Sequence, residues 1–360
     1  MKKKDESIFD KSFWVFIIIF SFSIGLICLL PYLFTLQYKF EDLNFSTTGQ
    51  IGDTIGGTMT PFIAIAAALL TFIAFWVQYK ANQQQTNQFK NQAKDVTIER
   101  FENKFFELIG IQRKNTNEIM IGGAVGGRKA FISMFLEFRF CYKKTKLFIE
   151  EYKKDKLGFK EDDETTILDI AYHIFFMGIG DNSDKLVIAS LKEKCKESFI
   201  VDLISDLKSV KDNWRHNRSF IFKVKLKDDP KELEYTSQYM PFGGHISRLG
   251  IYFRHLFQTV NFIAVQDNKI FNEATKCEYA KTLRAQLSDH EQLLLFYNVL
   301  SSLGKAWIAP DRNFIKRFRM IKNMPLPLAD FGIIPQLEFK DYINYWHEKG
   351  KAFFEWDERN

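Results

Sequence analysis

Proline is scarce in this chain, with eight residues in 360. A turn-rich β fold is therefore disfavoured and long helices are expected, because an interior proline removes a helical hydrogen bond and adds a clash. Cysteine is as thin. Cys28, Cys141, Cys195 and Cys277 stand far apart and form no CxxC or Cys/His spacing. No zinc site follows from them, and isolated thiols fit a reducing compartment. GxSxG, HExxH, a P-loop and a paired-carboxylate metal motif are all lacking, so neither a cofactor nor a metal is expected. There is no internal repeat and no low-complexity tail. A large excess of one charge is also missing: the formal net charge of +6 permits contact with anionic lipid or nucleic acid and argues for neither.

Phenylalanine is abundant, with 38 residues, so aromatic packing is expected to dominate the core. Nearly half the chain is hydrophobic, yet the mean hydropathy is slightly negative. The apolar surplus is gathered in one place. Residues 12–36 carry no charge, and neither do residues 54–79. Each run exceeds the roughly 20 apolar residues a helix needs to cross a bilayer. The first is too long for a signal-peptide core and no small-x-small cleavage site follows it. The second contains Gly56, Gly57, Ala64, Ala66, Ala67 and Ala68, small residues that let helices approach closely in lipid. Trp14, Tyr38, Trp76 and Tyr79 lie near the run ends, where amphipathic rings favour the interface. Residues 1–79 are thus expected to form a two-helix transmembrane hairpin.

The flanking charges orient it. Lys2, Lys3, Lys4 and Lys11 precede the first run, and Lys80, Lys90, Lys94 and Arg100 follow the second. The connection, about residues 37–50, carries only Lys39, with Glu41 and Asp42 beside it. Both chain ends are then cytoplasmic and the connection faces outward. Asp53, in QIGDTIGG, admits two readings. It caps the second helix, accepting bonds from free amides, or it lines a pore mouth or oligomer contact together with Gly52, Gly56 and Gly57, since an ionisable group at that depth is wet or paired.

Residues 80–118 read as a helical stalk that leaves the membrane and docks through Ile98, Phe101, Phe105 and Leu108, which recur at helical spacing. Residues 119–360 read as a cytoplasmic helical domain. The glycines of IGGAVGGRKAF break the stalk, and a flexible connection is expected there rather than a phosphate loop, because no GK[ST] follows. Helices are expected at about 129–153, 165–177, 185–210, 245–265, 273–287 and 289–303. Ser288 and Glu291 open the last with a capping box and Gly304 closes it. SFIFKVKL (219–226) alternates and gives a short strand. The fold class is mainly α, with at most a short β element.

Three stretches, FENKFFELI (101–109), YFRHLFQTVNFI (252–263) and YAKTLRAQLSDHEQLLLFYNVLSSLGK (279–305), together with the QIGDTIGG hairpin, resemble the phage abortive infection proteins of the AbiC-like family. The LRAQLS…E-LLLFYN block, with Gln286, Ser288, Glu291 and Asn298, is the most specific part. The resemblance implies an antiphage role as a two-span effector in the inner membrane of a bacterial cell. Such an effector is held inactive beside a sensor, such as the reverse transcriptase complex of certain retron systems, and then disrupts the membrane of its own cell. Its implied partners are membrane lipid, copies of itself, and that inhibitory or sensor partner.

The shared blocks also contain Arg254, Arg284 and Asn298, and His245, Arg248, Tyr252 and His255 fall on one helical face. Arg248/His255 and Arg284/His290 fit the Arg-to-His spacing of HEPN-type ribonucleases, with His as acid–base and Arg on the phosphate. Such pairs arise by chance about once in a chain of this Arg and His content. The competing account is that Arg254, Arg284 and Gln286 bond to helix ends and carboxylates in a polar interface. The leading expectation is a non-enzymatic membrane effector. A membrane-tethered nuclease and a non-toxic membrane adaptor are the alternatives.

Overall fold

The computed structural model describes residues 11–35, 50–152, 156–218, 220–227 and 232–355. The lysines at 2–4 and most of the expected outward connection lie outside these residues. The chain divides into two compact units, Met1–Thr97 and Ile98–Asn360.

In the first unit α1 runs Lys11–Thr35, and α2 begins at Gln50 and continues without a break to Glu118, with Pro61 inside it. Among the described residues one helix, from Gly56 onward, is long and apolar enough to cross a membrane. The apolar stretch of α1 is shorter, Ile17–Leu29. Among the described residues one of the two expected spans therefore meets that measure. Apolar side chains of both helices are open: Phe22 of α1 is 68% exposed and Phe75 of α2 67%. Because α2 starts at Gln50, Asp53 lies inside its first turn rather than at the N-cap. It faces the positive end of the helix dipole there, as a charge rather than as a capping acceptor.

The second unit is mainly helical. The C-terminal turns of α2 bury Phe101, Phe105 and Ile109. Phe101 meets Phe262, Phe271 and Tyr279 at 4.5–5.1 Å, so Phe101 and Phe105 of the expected stripe dock, with Ile109 buried where Leu108 was expected. Two short strands follow, β1 (Met120–Ile121) and β2 (Val125–Gly126), paired antiparallel. The glycine segment is thus a tight hairpin and not a flexible connector. Gly122 and Gly123 have φ of 58° and 72°, which glycine adopts without penalty. A side chain on Gly122 would strike Tyr239.

Next come α3 (Arg128–Glu151) and α4 (Glu164–Met177), which form the centre of the core. Phe138 of α3 is fully buried and lies 5.0–5.6 Å from Tyr172, Phe175, Tyr297 and Phe331. The single helix expected over 185–210 is two, α5 (Ser183–Leu191) and α6 (Glu197–His216). The Lys196 amide is taken by the carbonyl of Leu157 at 3.1 Å, and Lys196 adopts extended dihedrals. This long-range bond fixes the start of α6, after the turn at Leu191 where α5 has ended and periodicity alone would continue it.

The alternating segment forms β3 (Phe222–Val224), paired antiparallel with β4 (Leu233–Tyr235). Then come α7 (Ile246–Ala264), α8 (Glu273–Arg284) and α9 (Asp289–Leu300). Gly178 after α4 and Gly244 before α7 have φ of 81° and 82°. Their backbones touch: a Cβ on Gly178 would sit 2.6 Å from the Gly244 nitrogen. Helix α9 stops at Leu300, and Ser301 turns out in extended conformation. Gly304 does not end α9. It lies in a 3-10 turn, Ser302–Ile308, where a Cβ would come within 2.0 Å of the Asn298 carbonyl oxygen. The chain closes with α10 (Phe314–Phe318), α11 (Pro335–Glu338) and α12 (Lys340–His347).

Candidate functional site: a polar seam under the end of α2

The family-block residues converge where the last turns of α2 meet α7 and the α8–α9 corner. The capping box is formed. The Ser288 amide donates to Glu291 Oε2 at 2.7 Å, and the Glu291 amide to Ser288 Oγ at 3.4 Å. Glu291 is nevertheless buried, which a surface cap is not. Its second oxygen explains this. Oε1 accepts the Tyr252 hydroxyl at 2.7 Å and lies 3.4 Å from the Thr116 hydroxyl, whose one proton is shared with the nearer Gln112 carbonyl at 3.0 Å, and Arg128 Nε lies 3.9 Å from Oε2. One carboxylate thereby ties α2, α7, α9 and the start of α3 together. Burial and the adjacent Glu291 charge push the Tyr252 phenol well above its usual range, so it stays a donor.

Around this node the bonds continue. His255 Nδ1 lies 2.7 Å from Gln112 Oε1 on α2. The amide oxygen only accepts, so Nδ1 carries the proton. His255 Nε2 is buried without a partner, and burial lowers the imidazole pKa. Arg113 Nε donates to Gln286 Oε1 at 2.9 Å, and Arg128 Nη2 donates to the Gln286 carbonyl at 2.9 Å. The α2 contributions, Gln112, Arg113 and Thr116, were not expected from the sequence. Their helical spacing from Phe105 and Ile109 was the available signal.

The proposed nuclease pairs are not assembled. Arg248 Nε donates to the Met120 carbonyl at 2.7 Å, and Nη1 to that of Gly244 at 3.3 Å, while His255 faces Gln112. Arg284 is buried among the carbonyls of Phe318 and Arg319. His290 lies edge-on to Phe135 at 5.6 Å, with its pKa lowered by burial. Arg254 is exposed. Asn298 is structural, donating to the Tyr172 hydroxyl at 3.0 Å. Gly56 and Gly57 border open space.

Two further clusters were not read from the sequence. Glu137 on α3 is fully buried and accepts from the Tyr239 hydroxyl (2.6 Å), the Phe242 amide (2.7 Å) and His245 Nε2 (3.0 Å). It fastens residues 239–245 to the core. Asp169 accepts the Ser302 amide at 2.7 Å and its hydroxyl at 3.1 Å, and His173 Nε2 lies 3.4 Å from Ser302 Oγ. These are hydrolase residue types. However, the amide that would serve an oxyanion is committed to Asp169, and His173 Nδ1 sits 2.7 Å from the Asp169 backbone carbonyl. The carboxylate acts as the cap of the 3-10 turn. Among the described residues no group of three or more His, Cys, Asp or Glu side chains is placed to hold a metal ion.

Residues 244–328, from the start of α7 past α10, match the model of the family described as putative phage abortive infection protein. The match supports an AbiC-like assignment and points to a role in abortive infection. No curated protein and no solved structure matches the chain. The matched segment supplies Tyr252, His255, Gln286, Ser288 and Glu291 of the seam, while α2 and Arg128 lie outside it.

Proposed function

We propose that this protein is a membrane-anchored effector of antiphage defence in which the polar seam holds the end of α2 in a restrained state. One observation carries this reading. A single unbroken helix bears both the exposed apolar stretch and the Gln112, Arg113 and Thr116 side chains, and the segment matched to the abortive-infection family grips those side chains. Loosening the seam is the simplest way for that domain to act on an apolar helix. A helix with this much exposed apolar surface is stable in lipid and not in water.

In this proposal α1 and α2 span the inner membrane with both chain ends cytoplasmic. Copies associate through the Gly52, Asp53, Gly56 and Gly57 end of α2, and an infection-sensing partner, of the retron type or another, controls release. Released helices then breach the membrane.

The test is to follow membrane potential with a voltage-sensitive dye in phage-infected cells expressing the protein. Collapse is expected on infection. An intact potential in cells that still stop growing overturns membrane disruption. For the seam, Tyr252→Phe combined with Glu291→Gln is expected to arrest growth without phage. A well-folded double variant that stays silent until infection, as wild type does, removes the restraint from the account.

A further inference from the structure

Between α8, α10 and the end of α12 lies a cleft of about 460 Å³. Six cationic side chains line it, Lys281, Arg284, Arg317, Arg319, Lys349 and Lys351, against two carboxylates, Glu273 and Glu278. Both carboxylates are already engaged. Arg317 holds Glu273 through two bonds of 2.6 and 2.8 Å and so lowers its carboxyl pKa. Glu278 lies 3.4 Å from Lys281.

The surplus positive charge is organised. Arg284 is buried, and its hydrogen bonds go to neutral oxygens only: Asn323 Oδ1 at 3.0 Å and the Phe318 and Arg319 carbonyls at 3.1 Å. Its Nη2 donates to none of the described residues. Burial and the neighbouring Arg319 guanidinium lower its pKa to about 10. Glu355 and Glu278 act on it only from a distance, and a buried guanidinium with no carboxylate among its hydrogen-bond partners carries a desolvation penalty that an arriving anion offsets. Two other cationic heads are seated on rings, Arg319 over Trp346 at 4.3 Å and Lys349 over Tyr345 at 4.1 Å. Such cation–π contacts hold the charges ready rather than leaving them to sweep through solvent.

We propose that this cleft binds a small polyphosphate-bearing molecule, either free polyphosphate or a nucleotide, with Arg284, Lys349 and Lys351 taking the phosphate chain. A second cavity of about 290 Å³ adjoins it, sharing Arg317, Trp346 and Lys349 and adding Asn313 and Tyr345. It leaves room beside the phosphate chain for a nucleoside, held by polar side chains such as Asn313. The combined space suits one small ligand. The observations favour that ligand over the other polyanions. A lipid surface requires apolar side chains at the rim, and the apolar rings lining the cleft, Phe318 and Trp346, are both buried. A nucleic-acid strand requires open aromatic faces for successive bases, and the Tyr345 ring is covered by Lys316 and Lys349.

The experiment is calorimetry on the full-length protein in uncharged detergent, with tripolyphosphate, ATP, a short single-stranded DNA and anionic vesicles as separate probes. Saturable binding of ATP, tripolyphosphate or both is expected. Equal affinities mean that the phosphate chain alone is read, and tighter ATP binding means that the nucleoside is read as well. Lys349→Gln with Lys351→Gln, on the exposed rim, is expected to weaken binding about tenfold or more. Arg284→Gln is expected to abolish it. The rim variant keeps the test valid if Arg284→Gln fails to fold. The proposal is overturned if neither phosphate probe binds at millimolar concentration, if the rim variant binds as wild type, or if only the DNA or the vesicles bind.

Discussion

At Phe138 four aromatic rings from α4, α9 and the Phe331 segment close on one side chain that is fully buried. Phe138→Ala is expected to cost about 3–5 kcal/mol, read as a shifted denaturation midpoint with fluorescence or circular dichroism. Two half-buried imidazoles, His255 and His290, have pKa values lowered by burial. The unfolded chain therefore binds more protons than the folded one at these sites. Their contribution is present above the ordinary imidazole value of 6.5 and is lost as pH falls through the lowered folded pKa. Asp169, lowered by His173 and Lys194 against an opposing burial effect, has the same sign at lower pH. Its contribution is present above the ordinary carboxyl value of 3.8 and lost on further acidification. Thermal midpoints are expected to fall between pH 7 and pH 5, and His255→Gln is expected to flatten that slope. Residue identities alone could reveal the capping box, because Ser288 and Glu291 are three positions apart. They could not reveal that Tyr252 and Thr116 complete the Glu291 site, since those partners lie 39 and 175 positions away.

Among the elements, those with a strong local signal were legible. The α3, α4, α7 and α9 stripes were read within a few residues at their starts, because amphipathic spacing and caps are local. The break between α5 and α6 was not, because the bond that fixes the start of α6, from the Lys196 amide to the Leu157 carbonyl, spans 39 positions. Nor was the early start of α2, since the residues between Gln50 and Thr54 have no apolar period of their own. The short elements after Leu300 carry too few residues for a period to appear. The α9 start provides a measurable case. Ser288→Ala is expected to destabilise by about 0.5–2 kcal/mol. Because Glu291 also receives the Tyr252 hydroxyl, Ser288→Ala and Tyr252→Phe are expected to be non-additive in a double-mutant cycle. Simple addition of the two effects would show that the cap and the seam are separate features.

For the whole molecule, the expected membrane anchoring rests on α1 and on the apolar part of α2. The full chain is expected to pellet with membranes and resist an alkaline carbonate wash, and a chain beginning at Lys80 is expected to move to the soluble fraction. Recovery of the intact chain in the soluble fraction would remove the anchor. Composition announced this much, since two charge-free runs are visible without a structure. The cationic cleft was invisible because its charges come from positions 281 to 351 and only folding collects them. The paired glycines at 178 and 244 bear on how the chain can be cut. Residue 244 opens the segment matched to the family and residue 178 lies 66 positions before it, yet neither can gain a side chain without displacing the other's backbone. A graft that replaces only residues 244–328 therefore cuts through a close backbone contact, and it is tolerated only where the incoming residue at 244 is glycine.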